Sequence, residues 1–116
     1  MIFLLIAGFP DSLIQFRGPL INAIIAKGLT VHVAAPNLPV DSVIRQQLEA
    51  RGVVVHEIPL SRTGTNPIAD FILLMVLIKL MSNIKPDIVL GYTIKPVIYG
   101  SLAAKITGVK KRFALI

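Results

Sequence analysis

Apolar runs and helically spaced segments alternate along the whole chain. Ile2–Ala7 is an uninterrupted apolar run, the pattern of a strand covered on both faces. Leu20–Lys27 has helical spacing and stops at Gly28. Pro19 belongs to a first turn and not to a helix interior, so Ser12–Arg17 reads as a loop or a short separate turn. Thr30–Ala35 (TVHVAA) is a second strand, halted by Pro36. Asp41 or Ser42 caps a helix that runs to Arg51 and stops at Gly52. Val53–Ile58 (VVVHEI) is a third strand, and Ser61–Pro67 (SRTGTNP) has loop composition. Asn66 caps the longest helix, which starts at Pro67 and runs to about Asn83. Asp87–Leu90 is a fourth strand, Pro96–Thr107 a fourth helix stopped by Gly108, and Arg112–Ile116 a fifth strand.

The order is β-α-β-α-β-α-β-α-β. Right-handed crossovers turn that order into an α/β fold, a doubly wound parallel sheet with helices on both faces. No repeat, low-complexity segment or linker interrupts it, so 1–116 reads as one domain. At 116 residues, 54% hydrophobic and 16% charged, the chain is too apolar for a disordered tail. A sheet covered on both faces accounts for much of that; a surface that meets another domain or a membrane would account for more.

The run Ile68–Ile84 (IADFILLMVLIKLMSNI) tests this picture. Its longest unbroken apolar stretch, Phe71–Ile78, is eight residues, and a membrane span needs roughly twenty. The expectation is a helix buried on most of its circumference. An interfacial membrane helix is the alternative, with a polar face poor in Lys and Arg. The final run RFALI is an apolar strand with no loop after it. Since doubly wound folds work at the carboxyl ends of their strands, the expectation is that a longer protein supplies that loop and more.

Charge is unevenly placed. Residues 1–78 carry five bases and five acids, whereas residues 79–116 carry seven bases and only Asp87, so the whole net charge of +6 lies in the last third. Solvated lysines at helix ends explain it most simply. Attraction to an anionic membrane or a phosphorylated substrate is the sharper reading. Nucleic acid is disfavoured, because aromatic residues are not interleaved with the basic ones apart from Phe113. The absence of cysteine excludes disulfides, thiolate catalysis and zinc–thiolate sites. A six-residue apolar start without a basic flank or cleavage site does not read as a signal peptide.

Candidate chemistry belongs in the loops after the strands. After strand one comes GFPDSLIQFRGPL, Gly8–Leu20, with glycines only at Gly8 and Gly18. It is neither the glycine fingerprint of dinucleotide sites nor a P-loop. No acid follows strand two, which counts against a dehydrogenase. Strand one ends without an acid and Glu57 stands alone on strand three, so a phosphoacceptor receiver site is also disfavoured. GFPDS is not a nucleophile elbow, and Ser12 has no readable histidine partner. After strand four comes GYTIKP, Gly91–Pro96. There Thr93 and Lys95 precede a helix N-terminus, an arrangement that favours an anion or simply caps a helix beside a surface lysine. His32 and His56 lie inside strands and read as sheet histidines with satisfied ring nitrogens, not as bases or metal ligands.

AGFPDSLIQFRGPLINAIIAKGLTVHVAAP, residues 7–36, resembles the opening of family 4 retaining glycosyltransferases of bacterial surface-polysaccharide assembly. PDIVLGYTIKPVIYGSLAAKITGVKKRFALI, residues 86–116, is similar to the fourth-strand region of the same enzymes. The likeness rests on the Gly-Phe-Pro turn, the Phe16-Arg17 pair before the first helix and the Lys27-Gly28 turn before strand two. Leu29 stands where the family often has a histidine. The resemblance implies the GT-B architecture, two Rossmann-like domains facing across a cleft, with this chain an incomplete acceptor-side, amino-terminal one and the donor-binding domain absent. It implies transfer from a nucleotide-diphosphate sugar, expected to be a UDP-sugar, to a saccharide or lipid-linked saccharide, with no metal or other cofactor.

Carried onto this sequence, the cleft residues are Gly8, Phe9, Asp11, Ser12, Phe16, Arg17, Tyr92, Thr93 and Lys95. Gly8 would let the backbone approach a diphosphate. Arg17 would hold a phosphate, or else pair with Asp11 across its own loop. Catalytic residues are not assigned. The same reading implies a cytoplasmic protein, with peripheral contact to the inner face of the plasma membrane left open. It also implies self-association of the chain alone, through a sheet edge and lobe surface that expect a partner. The rival readings are a non-catalytic anion- or membrane-binding module and a nucleotide-sugar epimerase of the same architecture.

Overall fold

The computed structural model of the chain describes residues 1–8, 18–36, 38–59, 67–92, 94–109 and 111–115; at 18, 92, 94–97 and 111–115 the backbone alone is described. Among the described residues, five strands alternate with four helices: β1 (Ile2–Ile6), α1 (Gly18–Ala26), β2 (Thr30–Ala35), α2 (Val43–Ala50), β3 (Val54–Glu57), α3 (Pro67–Ile84), β4 (Ile88–Tyr92), α4 (Ile94–Thr107) and β5 (Lys111–Leu115). The strands form one parallel sheet in the order β3-β2-β1-β4-β5.

Strand β1 is central. Ile2–Ile6 pairs with Thr30–Ala34 on one side, and Phe3–Ile6 with Ile88–Gly91 on the other. Its side chains alternate between two cores. Phe3 and Leu5, with Ala7 beyond the strand, join Ile21 of α1 and Leu48 of α2. Leu4 and Ile6 join Leu73, Leu77 and Met81 of α3 and Ala103 and Ala104 of α4. Both faces are covered, which is why the strand reads as an unbroken apolar run. Asp87 fastens its start: the Ile2 N–H donates to Asp87 Oδ2 at 2.8 Å, and the Asp87 N–H donates to the Ile2 carbonyl at 2.9 Å.

Local signals set the helix ends. The Ser42 hydroxyl caps α2 by accepting from the Arg45 N–H at 3.4 Å. Gly28 (φ 87°) and Gly108 (φ 83°) take the left-handed conformation after α1 and α4, which a side chain would oppose. Lys85 takes that conformation after α3 (φ 50°), and its N–H closes the helix on the Met81 carbonyl at 2.8 Å. The expected cap at Asn66 lies outside the described residues.

Three expectations need correction. First, β4 does not end at Leu90. Gly91 and Tyr92 continue it, because Gly91 pairs with Ile6 and Ala114, and Tyr92 with Leu115. Pairing on both sides overrides the loop signal of a glycine. Second, α4 begins at Ile94 and not Pro96. Pro96 then sits in the first turn, where a missing N–H removes no intrahelical bond. Lys95 is therefore inside the first helical turn and does not precede it. Third, α3 is not buried on most of its circumference. Leu73, Leu77 and Met81, one stripe four residues apart, are buried, whereas Ile68 is 73% and Phe71 63% exposed. The helix has 18 residues and a mean hydropathy of 1.8, enough by length and composition to cross a membrane. Its buried stripe packs it against the sheet instead.

Helix α4 lies unusually close to β1. A Cβ built on Gly100 would come within 2.8 Å of Ile6 Cδ1, and Ile6 is fully buried. We expect Gly100→Val to destabilise the domain by about 1–3 kcal/mol through overpacking. Ile6→Val in the same chain should return part of that loss, as a favourable coupling of about 0.5–3 kcal/mol. Urea unfolding of the four chains of the cycle checks both.

Candidate functional site

In a sheet ordered β3-β2-β1-β4-β5, successive strands add outward on one side from β1 to β3, and then the chain returns to lay β4 on the other side of β1. The connections leaving β1 and β4 therefore part in opposite directions at the carboxyl ends of these strands. Such a switch point leaves a crevice, the usual ligand position in open α/β sheets. Gly8 lies there, buried, two residues past β1. Ala7 still bonds to the sheet, its N–H donating to the Ala34 carbonyl at 2.9 Å. Opposite, β4 ends at Tyr92 and α4 starts at Ile94, so a single residue separates strand from helix. The first-turn N–H groups of α4, without intrahelical partners, open on the same edge.

Of the nine residues singled out from the sequence, the topology brings three to this edge: Gly8, Tyr92 at the end of β4 and Lys95 in the first turn of α4. Phe9, Asp11, Ser12, Phe16, Arg17 and Thr93 lie outside the described residues. Among the described residues, no three or more His, Cys, Asp or Glu side chains come together as a metal site.

Sequence reasoning missed one polar arrangement. His32 on β2 and His56 on β3 are half-buried, and His32 Nδ1 lies 2.9 Å from His56 Nε2. The rings are within 7° of parallel, with centroids 5.2 Å apart. That separation, with nitrogens 2.9 Å apart, puts the rings edge to edge in nearly one plane, and not one above the other. One nitrogen donates and the other accepts, so the contact pairs one ring nitrogen of each neutral histidine. The signal was available only with the register: His32 stands opposite Val54 and His56 opposite Ala34, two places along the same face. The pair is in mid-strand on β2 and β3, to one side of the β1–β4 crevice.

Arg45 of α2 closes the neighbouring edge. Its guanidinium donates to the Leu38 carbonyl at 2.8 Å and the Val55 carbonyl at 3.5 Å. Its Nε is 3.6 Å from Glu49 Oε1, an ion pair too long to be a hydrogen bond, and Nε makes no other. The two carbonyl bonds tie the segment after β2 to β3 and do more than the half-exposed pair. Burial pushes both histidines below their ordinary value; His56 is lowered further by His32 and by Arg45.

A concavity of about 410 Å³ opens at the other end of the domain, lined by residues that include Ser82, Lys85 and Thr107. It sits at the C-terminal ends of α3 and α4. Helix carbonyls point there, and that polarity does not favour an anion.

The sequence model of the family described as glycosyl transferase 4-like matches residues 2–115. The chain belongs to this glycosyl transferase 4-like family. No curated protein sequence matches it. Among solved structures it is similar to MurG of Acinetobacter baumannii, with a TM-score of 0.72 and 17% identity over 97% of this chain and 33% of that one. A glycosyltransferase from Rickettsia africae gives 0.69 and 16%, over 97% of this chain and 28% of that one. A structure described as a UDP-N-acetylglucosamine 2-epimerase from Listeria monocytogenes gives 0.67 and 17%, over 99% of this chain and 30% of that one. The glycosyl transferase 4-like chain thus spans about a third of the length of these structures. At these identities the likeness is one of fold: the Rossmann-like amino-terminal domain of GT-B glycosyltransferases.

The histidine pair gives a pH dependence with a definite sign. Both folded-state values lie below the ordinary 6.5, so below about pH 6.5 the unfolded chain binds more protons than the folded one. This contribution to stability is fully present above that pH and is lost as pH falls through the folded values. His56→Phe, read by urea unfolding between about pH 5 and pH 7.5, should flatten the slope that the unaltered domain shows in this range.

Proposed function

We propose that the domain is the acceptor-side half of a glycosyltransferase that moves a sugar from a nucleotide-diphosphate donor, a UDP-sugar, onto a saccharide or lipid-linked saccharide. The observation that carries this is the family match across residues 2–115. The position of Gly8 and of the α4 N-terminus at the switch point supports it. In this reading the acceptor hydroxyl attacks the anomeric carbon, the bond from that carbon to the diphosphate oxygen breaks, and the hydroxyl's proton passes to the departing diphosphate. Negative charge grows on the diphosphate. Gly8 leaves room for its approach, and the α4 N-terminus and Lys95 stabilise it, with Arg17 as a second cation. A helix N-terminus contributes about 0.3–1 kcal/mol to a nearby anion, so the side-chain cations must supply much of the rest. A second Rossmann-like domain holds the donor nucleotide. No metal is required when the chain's own cations take the charge.

Fold alone does not separate transfer from epimerisation, as the Listeria monocytogenes likeness shows. The family match favours transfer. In this reading residues 1–116 alone turn over no nucleotide-sugar, and a chain that adds a second Rossmann-like domain transfers sugar to an acceptor. Nucleotide release from a panel of UDP-sugars, with and without saccharide acceptors, checks both. Turnover by residues 1–116 alone would contradict the two-domain reading. Conversion of one UDP-sugar into its epimer by the longer chain would contradict transfer.

A further inference from the structure

We propose that His32 and His56 together bind a divalent transition-metal ion of the Zn²⁺ class, between His32 Nδ1 and His56 Nε2. This goes beyond the transfer reading and does not depend on it: the pair lies to one side of the β1–β4 crevice, and the ion takes no part in the chemistry there. The two residues are 24 apart in the chain, so their spacing carries no metal-site signature. The sheet register brings them together. His32 stands opposite Val54 and His56 opposite Ala34, which puts both on one face of adjacent parallel strands. The ladder holds both backbones, so the two imidazoles converge without ordering any further chain.

The ring geometry fits such an ion. The facing nitrogens are 2.9 Å apart, the rings within 7° of parallel and their centroids 5.2 Å apart. An imidazole nitrogen lies about 1.2 Å from its ring centre, and a tetrahedral Zn²⁺ sits about 2.0–2.1 Å from each nitrogen, in the plane of the ring. An ion bridging two rings therefore sets their centres about 5.2 Å apart and their nitrogens about 3.3 Å apart. The centres of His32 and His56 already stand at that separation. Tipping each ring by about 35° in its own plane opens the nitrogens by about 0.4 Å and leaves the centres in place.

An imidazole at about pH 7.5 is ordinarily neutral, with one protonated nitrogen and one lone pair. In the hydrogen-bonded pair one of the two facing nitrogens carries a proton. On binding, that ring takes its other tautomer, the proton moving to the outer nitrogen. Both facing nitrogens then offer lone pairs, two nitrogen–metal bonds form, waters leave the ion, and the pair loses no proton. Imidazole suits Zn²⁺, Cu²⁺ and Ni²⁺, whereas Mg²⁺ and Ca²⁺ seek oxygen. Among the described residues no third His, Cys, Asp or Glu joins the pair, and the rings are half-exposed, so water fills the remaining positions. The positive charge of Arg45, felt at His56, opposes a cation. It is turned to the Leu38 and Val55 carbonyls, with Glu49 3.6 Å from its Nε to offset it. The ion ties β2 to the edge strand β3. An unfolded chain holds no such chelate, so the metal stabilises the folded domain.

Titration of the chain with Zn²⁺ at about pH 7.5, in competition with a chromophoric chelator and with Mg²⁺ as the comparison ion, tests this. The expected result is one Zn²⁺ per chain, held about a hundredfold or more tighter than Mg²⁺. His32→Gln and His56→Gln should each weaken Zn²⁺ about tenfold or more, because either one leaves a single ligand and removes the chelate. Zn²⁺ at about a hundred times its dissociation constant should lower the urea-unfolding constant about a hundredfold in the unaltered chain, and about tenfold or less in either variant. Nitrogen chemical shifts of the unaltered chain place the ion whether or not the variants fold. Zn²⁺ should move the resonances of His32 Nδ1 and His56 Nε2 and leave the protons on the outer nitrogens. Absence of Zn²⁺ binding, binding that either histidine change leaves intact, equally tight Mg²⁺, or facing nitrogens unmoved by the ion would each overturn the proposal.

Discussion

Strand β1 is paired along both edges and buried on both faces, and the rest of the domain is arranged by that constraint. A doubly covered strand must place apolar side chains at every position, and Leu4, Leu5 and Ile6 are each fully buried. Burying a side chain of this kind completely contributes about 1.5–3 kcal/mol. The same strand fixes the ligand edge. Because β2 and β4 flank it on opposite sides, the connections leaving β1 and β4 diverge, and the crevice opens where they part. Gly100 lets α4 lie directly on Ile6, which brings the α4 N-terminus to that edge. Core packing and site geometry are thus set by the same contacts.

Strand β1, strand β2 and the helix starting at Pro67 were legible because each signal was local: an unbroken apolar run, a β-branched run ended by proline, a proline in a first turn. The reading weakened where tertiary pairing decides. Gly91 looks like punctuation, but two neighbouring strands hold it in the sheet. Pro96 looks like a helix start, yet two residues precede it in the first turn. The circumference of α3 was misread because an apolar sequence shows what a helix could bury, not how much surface is available to bury it. His32 and His56 read from the sequence as sheet histidines, and one ring nitrogen of each finds its partner in the other. Finding that required the register of β2 against β3.

For the site, the sequence pointed to the carboxyl edge of the sheet, and the topology brings Gly8, Tyr92 and Lys95 to that edge. The roles of these residues rest on the family, because a glycine past a strand and a lysine in a first helical turn are common features that acquire meaning from what stands opposite. The apolar composition, by contrast, has a physical reading of its own. It exceeds what two buried cores need, and the surplus is concentrated on the outward faces of α3 and α4, where the lysines also lie.

The claim that β1 organises the domain is most directly tested by amide hydrogen exchange of the folded chain. Exchange at Leu4, Leu5 and Ile6 should require global unfolding, so their protection should equal the unfolding free energy measured with denaturant. The amides of the edge strand β3 and of the first turn of α4 should exchange through smaller openings. If β1 exchanged as readily as β3, or if β2 and β3 were more protected than β1, the account would be contradicted.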